Sequence, residues 1–206
     1  MVGANRVVRP PGPLGPGVRR PRSGDAVLDR GLELLAPIPS LDRLHPRIAT
    51  VVRGARVILT LAAARHDPAY RRAQRVALSL ARLAGAAILL VDRSQETLAD
   101  TPHHQGPFTP EEARQLEKEH LAAFLDAAAF ASVDVAVWAP SLPLLESYYE
   151  ETVSCTDVDL AVLPDRLERP KLIELVTGRC IAEMAKSLVP SIPVVRVSRG
   201  GNLALL

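Results

Sequence analysis

The sequence predicts an α/β fold in which a five-stranded parallel sheet lies between two layers of helices. Short, continuous apolar runs recur along residues 55–206, and such runs are typical of strands that are buried on both faces. Between these runs, apolar side chains recur at helical spacing. Strands that alternate with helices form right-handed βαβ units, so we expect a parallel sheet that is covered on both faces.

The first βαβ unit has the clearest boundaries. Val57–Leu61 is predicted as the first strand and residues 86–91 as the second. Asp67 is a suitable N-cap for the helix between them, and Pro68 fits the first helical position. Gly85 is predicted to end this helix, because glycine adopts the backbone conformation that stops a helix.

The rest of the domain repeats the alternation. Residues 92–108 are polar and contain Gly and Pro, which indicates a long loop. Thr109 and Glu112 then have the spacing of a capping box, so a helix is predicted from there to about Ala131. The remaining predicted elements are strand 133–138, helix 141–155, strand 157–163, helix 170–188 and strand 192–197.

Composition divides the chain into three parts: an arm (1–24), a helical lead-in (25–54) and the α/β domain (55–206). Five prolines and five glycines predict that the arm is disordered. The arm also holds five arginines and no acidic residue, whereas the remainder of the chain has 20 basic and 23 acidic residues. The basic charge therefore belongs to the arm, and a folded basic groove for nucleic acid is not predicted.

Several functional classes are disfavoured by the sequence. No run approaches the roughly 18 apolar residues of a membrane span, and the N-terminal residues lack the apolar core of a secretory signal. We therefore expect a cytoplasmic protein without membrane attachment. Cys155 and Cys180 are not at a zinc-ligand spacing and are expected to be reduced and buried. Because the common hydrolase, P-loop and dinucleotide motifs are missing, we predict no catalytic residues. Glu117 and His120 have the i, i+3 spacing of helical metal ligands, but this is one half-motif that a polar helix face explains equally well, so we predict no metal site.

Three segments carry a resemblance to a known family. Residues 58–92 read ILTLAAARHDPAYRRAQRVALSLARLAGAAILLVD, residues 157–164 read DVDLAVLP, and residues 178–197 read GRCIAEMAKSLVPSIPVVRV. In order and spacing they resemble the universal stress protein family. That family has a five-stranded α/β/α sandwich related to adenine-nucleotide-binding folds, so the resemblance implies the same architecture here.

The resemblance also implies where a nucleotide would bind. Nucleotide-binding members carry an aspartate just after the first strand and a loop of the form G-x2-G-x9-G-[ST] after the fourth. Here residues 62–64 are alanines, residues 164–170 read PDRLERP, and only Gly178 remains of the loop, followed by Arg179. Glycines let the backbone approach phosphate closely, so their loss disfavours binding of ATP or AMP in the family manner, and we predict no cofactor.

A ligand of an open α/β sheet binds beyond the carboxyl ends of the strands, where the strand order reverses. This rule and the resemblance together select six candidate cleft residues: Ala63, Asp92, Asp165, Arg166, Gly178 and Arg179.

Three functional hypotheses follow. The leading one is a non-enzymatic, stress-response-like regulatory or interaction module that binds a protein partner. One alternative is an adenine-nucleotide-binding or hydrolysing relative with a rebuilt loop. The other is a tether that contacts nucleic acid or an acidic partner through the Arg-rich arm.

The last predicted strand, residues 192–197, indicates a homodimer. In a strand order such as 3-2-1-4-5 this apolar, β-branched strand lies on the sheet edge, where it is prone to pair with another strand. A two-fold mate can cover it in a self-complementary way, and the family resemblance implies association through the same strand. Residues 198–206 are expected either to fold back or to reach the mate.

Overall fold

A computed structural model describes residues 38, 40–62, 68–91, 110–138, 153, 156–165 and 180–206. The arm (1–24), the part of the lead-in before residue 38 and the predicted long loop (92–108) lie outside these residues, so the predictions for them stay predictions. The described elements are a 3-10 helix (Leu41–Arg43), α1 (Pro46–Gly54), β1 (Val57–Leu61), α2 (Pro68–Ala84), β2 (Ala87–Val91), α3 (Pro110–Phe130), β3 (Val135–Trp138), β4 (Leu160–Pro164), α4 (Ile181–Leu188), β5 (Val194–Val197) and β6 (Leu203–Leu205).

The strands form one six-stranded sheet in the order β3-β2-β1-β4-β5-β6. All neighbouring pairs from β3 to β5 are parallel, and β6 is antiparallel to β5. The predicted α/β class is confirmed. Within the described ranges the sheet has six strands rather than the predicted five, because the chain turns back after β5 and adds a strand.

The sheet is buried on both faces because its strands are apolar at consecutive positions. Ile58 and Leu160 point to one face, where α1, α2 and α3 pack, which we call the α2 face. Leu59 and Ala161 point to the opposite face, where α4 packs, which we call the α4 face. This alternation follows from the two-residue period of a strand. Helices on both faces explain why the strands are continuous apolar runs.

Local sequence signals agree with the observed helix ends. Pro68 is the first residue of α2, and Gly85 follows its last residue with a φ of +67°, a conformation that glycine adopts readily. The helix end predicted at Gly85 is therefore confirmed. Asp67 and Thr109, the predicted caps of α2 and α3, lie outside the described residues.

Helix α1 belongs to the end of the lead-in and packs on the α2 face. The His45 side chain accepts a hydrogen bond from the Arg47 amide, and Pro46 is the first helical residue. Ile48 and Val52 are buried in the core of this face. None of the helices in the described ranges combines the length and apolar character needed to cross a membrane.

The prediction that residues 192–197 form an edge strand is wrong. β5 pairs with β4 on one side and with β6 on the other. The reversal is closed by two hydrogen bonds, from the Ser198 amide to the Asn202 carbonyl (2.9 Å) and from the Gly201 amide to the Ser198 carbonyl (3.0 Å). Gly201 has a φ of +81°, which glycine adopts without strain. The turn therefore folds residues 203–205 back onto β5, and the edge on which the dimer prediction rested is occupied.

Candidate functional site

The candidate site lies where β1 and β4 separate. The chain continues from β1 to one side of the sheet and from β4 to the other, so the strand order reverses between them. The pairing of β1 with β4 ends at Leu59 and Ala161. In contrast, β1 stays paired with β2 up to its last residue, and β4 stays paired with β5 up to its last residue. The carboxyl ends of strands at such a reversal are the position where ligands bind in open α/β sheets.

Two buried polar side chains stabilise the backbone at the carboxyl end of β1. The Thr60 hydroxyl donates to the Val162 carbonyl at 3.0 Å. If the β1–β4 ladder continued in register, the Leu61 carbonyl would accept from the amide of residue 164, but Pro164 has no N–H. Gln74 Nε2 of α2 donates to that carbonyl instead, at 3.0 Å. Both side chains therefore satisfy carbonyls near the point where the β1–β4 pairing stops.

Charged side chains lie at the carboxyl end of β4. Asp165 follows β4, and its amide donates to the Val197 carbonyl at 2.9 Å. Arg196 Nη1 lies 3.6 Å from Asp165 Oδ1 and 3.4 Å from Glu183 Oε1. We call Asp165, Glu183 and Arg196 the Arg196 cluster. Their side chains are between 27% and 42% exposed, so water screens the attraction between them.

The N-terminus of α4 lies beside this cluster and is capped from within the chain. The Cys180 thiol accepts from the Glu183 amide at 3.4 Å, and the Cys180 amide donates to Glu183 Oε2 at 3.1 Å. This reciprocal pair is a capping box with Cys180 as the N-cap residue. Two amides at the start of the helix are therefore already hydrogen-bonded to protein groups.

Cys180 is a free and buried cysteine, as the sequence predicts. Burial is the main reason why its pKa is raised, from 9.0 to about 11. The hydrogen bond from the Glu183 amide acts in the opposite direction, whereas the carboxylates of Glu183 and Asp165 add to the increase. The thiol is consequently protonated at neutral pH and is a poor nucleophile.

A second polar contact joins α2 and α3 on the α2 face. Arg71 Nη2 lies within hydrogen-bonding distance of the His120 ring nitrogens. Burial and the neighbouring Arg75 lower the pKa of Arg71. This contact connects two helices of one layer and lies apart from the Arg196 cluster, which is on the α4 face.

One of the six predicted cleft residues, Asp165, is in the described part of the chain and lies in the Arg196 cluster. The other five are outside the described residues: Ala63, Asp92, Arg166, Gly178 and Arg179. Sequence reasoning missed the other members of the cluster, although signals were present. Glu183 has the capping-box spacing from Cys180, and Arg196 interrupts a β-branched run. The described residues hold no group of three or more His, Cys, Asp or Glu side chains arranged to bind a metal ion.

Comparison with known proteins adds no relative. The chain matches no family model, no curated protein and no solved structure. The resemblance to universal stress proteins therefore rests on the sequence segments alone, and functional inference depends on the geometry at the end of β4.

Proposed function

We propose that the chain is a non-enzymatic, universal-stress-like regulatory or interaction module that does not bind adenine nucleotide in the family manner. In this proposal it works in the cytoplasm, requires no cofactor and acts through contact with a protein partner. The observation that carries the proposal is that the N-terminus of α4 is capped from within the chain and lies beside the two carboxylates of the Arg196 cluster.

Charge and hydrogen bonding at the end of β4 both oppose a phosphate ligand. A helix N-terminus attracts phosphate through amides that have no other acceptor and through the positive end of its dipole. In α4 the amides of Cys180 and Glu183 already have acceptors. Asp165 and Glu183 bring two negative charges and Arg196 brings one positive charge, so the cluster has a net charge of about −1 near neutral pH. A polyphosphate would meet like charge there.

The chemistry of Cys180 supports the non-enzymatic part of the proposal. Cys180 lies beside the Arg196 cluster through its contacts with Glu183, and its pKa of about 11 keeps the thiol protonated. Its hydrogen bond with the Glu183 amide also gives the sulfur a structural role as a helix cap. The residue is therefore suited to stabilising α4 rather than to covalent catalysis.

Isothermal titration of the full chain with ATP, ADP and AMP tests the proposal. We expect no saturable heat below about 1 mM nucleotide, which corresponds to a binding free energy weaker than about −4.1 kcal/mol. Micromolar binding of any of the three would overturn the proposal and favour the nucleotide-binding alternative.

Matched variants test the physical reason separately. Asp165→Asn combined with Glu183→Gln removes two charges with little change in shape, whereas Asp42→Asn removes an exposed charge on the Leu41–Arg43 segment. We expect the double variant to bind nucleotide more tightly than wild type and Asp42→Asn to behave as wild type. Equal affinities for all three chains would show that the carboxylates do not determine nucleotide exclusion.

A further inference from the structure

Helix α2 carries two arginines that the contacts at the ends of β1 and β4 do not involve. Arg71 and Arg75 are one helical turn apart, so they lie on the same face of α2, and we call them the arginine pair. Both are half-buried, and Arg71 Nη2 lies within hydrogen-bonding distance of the His120 ring nitrogens of α3. The arginine pair is therefore on the α2 face, apart from the Arg196 cluster.

The charges of the arginine pair have little compensation among the described residues. Neither arginine forms an ion pair there. The Nε atoms of both are buried and have no hydrogen-bond partner in the described part of the chain. Helix α2 itself offers no acid, because its sequence contains four arginines and neither Asp nor Glu. Buried donors without an acceptor are uncommon in folded proteins and call for an explanation.

The position of the arginine pair also opposes folding. Like charges at positions i and i+4 of a helix repel each other. Burial, and after it the charge of Arg75, lower the pKa of Arg71, so the charged form of Arg71 is less favourable here than in water. Charged groups that cost stability and have no anionic partner among the described residues are typical of binding sites.

We infer that the arginine pair binds two carboxylates of an acidic segment in a protein partner, a proposal that rests on the proposed function in taking its occupant to be a protein. In each guanidinium only Nε is both buried and without a partner, so the remaining unpaired Nη groups are open to an incoming anion. The planar guanidinium fork matches the two oxygens of a carboxylate, and the resulting charge-assisted hydrogen bonds are strong.

The geometry of the arginine pair favours two carboxylates over one phosphate group. Side chains at i and i+4 start from Cβ atoms about 5–6 Å apart, and two acidic residues one helical turn apart in a partner have the same spacing. Arg71 is held towards His120 of α3, so it is not free to converge with Arg75 on a single phosphate. Each arginine can instead take a carboxylate of its own.

Two double variants with the same change of charge separate this site from general electrostatic attraction. Arg71→Gln combined with Arg75→Gln removes the charges of the arginine pair and keeps a side-chain donor near His120. Arg47→Gln combined with Arg82→Gln is the control, because it removes two exposed arginines from α1 and α2. We expect the first variant to unfold in urea at a midpoint no lower than that of wild type, since the arginine pair opposes folding. A purely structural role would lower this midpoint.

Fluorescence anisotropy of a labelled hexaglutamate peptide with the full chain at low salt tests the inference. We expect a micromolar Kd for wild type and for the control variant. Binding should be at least about tenfold weaker in the variant that lacks the arginine pair, because charge-assisted hydrogen bonds are lost. Hexaglutamine should not bind. A single-stranded RNA hexamer and inorganic phosphate should give the same result with all three chains.

Three results would overturn the inference. The first is a wild-type chain that does not bind hexaglutamate saturably. The second is an equal loss of affinity in the two double variants, which would indicate general attraction between charges. The third is binding of RNA or phosphate that is lost with the arginine pair, which would assign the site to phosphate.

A charge-conserving variant keeps the test decisive if the glutamine variant does not fold. Arg71→Lys combined with Arg75→Lys retains both charges and removes the guanidinium fork, so hexaglutamate should bind it more weakly than wild type. Wild-type affinity in this variant would overturn the inference. Peptide binding and the nucleotide titration use different ligands and different variants, so a failure of this inference is distinguishable from a failure of the proposed function.

Discussion

The ends of β1 and β4 are neighbours in the sheet, yet they are stabilised in different ways. At the end of β1, two neutral and buried side chains, Thr60 and Gln74, hydrogen-bond to backbone carbonyls. At the end of β4, the charged side chains of Asp165, Glu183 and Arg196 lie together in partial contact with water. Buried neutral hydrogen bonds are costly to remove and insensitive to salt, whereas exposed ion pairs contribute little and are screened. The ends of β1 and β4 should therefore respond differently to substitution, salt and pH.

The largest expected effect is on the reactivity of Cys180, which lies beside the charged side. Its pKa of about 11 instead of 9.0 leaves about 100-fold less thiolate near pH 8 than an unperturbed thiol would have. In a Cys155→Ser background, alkylation of the native chain by iodoacetamide should be at least about tenfold slower than alkylation of the urea-unfolded chain, because the higher nucleophilicity of a more basic thiolate offsets only part of its lower population. Similar native and unfolded rates would show that Cys180 is accessible and unperturbed.

The same pKa shift predicts a loss of stability at high pH. Because the folded pKa of Cys180 is raised, the unfolded chain releases its proton first as pH increases. The stabilisation from the protonated thiol is complete below pH 9.0 and is lost as pH rises to about 11. Cys180→Ser, which keeps a capping oxygen, should lose less stability over this interval when urea unfolding is followed at each pH. Identical pH profiles for the two chains would contradict the assignment.

On the neutral side, Gln74→Leu should have the largest effect on stability. The substitution leaves the Leu61 carbonyl without the side-chain donor that replaces a strand amide. We expect the free energy of unfolding to fall by about 1–3 kcal/mol, with little dependence on salt. Gln115→Leu on α3 is the control, since Gln115 is exposed, and it should change stability by less than about 0.5 kcal/mol. Urea titration of both variants measures the difference, and equal losses would contradict the proposed role of Gln74.

Thr60→Val tests the second neutral hydrogen bond. The substitution keeps the shape of the side chain and removes the donor to the Val162 carbonyl, so we expect a loss of about 1 kcal/mol. Thr50→Val removes a hydroxyl of α1 that bonds to the Pro46 carbonyl in contact with water. Its effect should be smaller, because water can replace the lost donor. A larger loss of stability for Thr50→Val than for Thr60→Val would show that the buried hydrogen bond from Thr60 to the Val162 carbonyl is not the more stabilising of the two.

The smallest effect is expected on the charged side. Arg196→Met keeps an apolar stem and removes the cation that lies between Asp165 and Glu183. We expect a loss of no more than about 1 kcal/mol at low salt, and a smaller loss at high salt because the charges are screened. Chemical unfolding at two sodium chloride concentrations measures both values. If Arg196→Met lowered the free energy of unfolding by more than Gln74→Leu does, independently of salt, the charged end of β4 would contribute more stability than the neutral end of β1, contrary to this prediction.

The sequence was sufficient to predict the layers of the fold. Apolar runs such as Val57–Leu61 indicate strands buried on both faces, and Gly85 correctly predicts a helix end, because both signals are local. Strand β6 was not predicted as a sheet strand. It has only three residues, too few for a periodic pattern to be recognised, and its pairing depends on the turn at Gly201.

The candidate site was harder to predict, for a different physical reason. The partners of Thr60 and Arg196 are close in space but distant along the chain, and Thr60 and Val162 are separated by 102 residues. A single sequence shows that Gln74 is polar among apolar neighbours in α2, but not which carbonyl lacks a donor. Asp165 was predicted because it follows a strand at the point where strand order reverses, which is a property of topology rather than of pairwise contact.

In the proposed function, the N-terminus of α4 and the carboxylates beside it exclude phosphate, and the amide resonances at this N-terminus report directly on that exclusion. The amides of Cys180 and Glu183 should be followed in nitrogen–proton correlation spectra of the full chain while ADP is added. Because both amides are already bound within the capping box, we predict no saturable shift below about 1 mM ADP. Saturable shifts of these two amides with a micromolar midpoint would show that the helix N-terminus binds phosphate and would overturn the proposed exclusion.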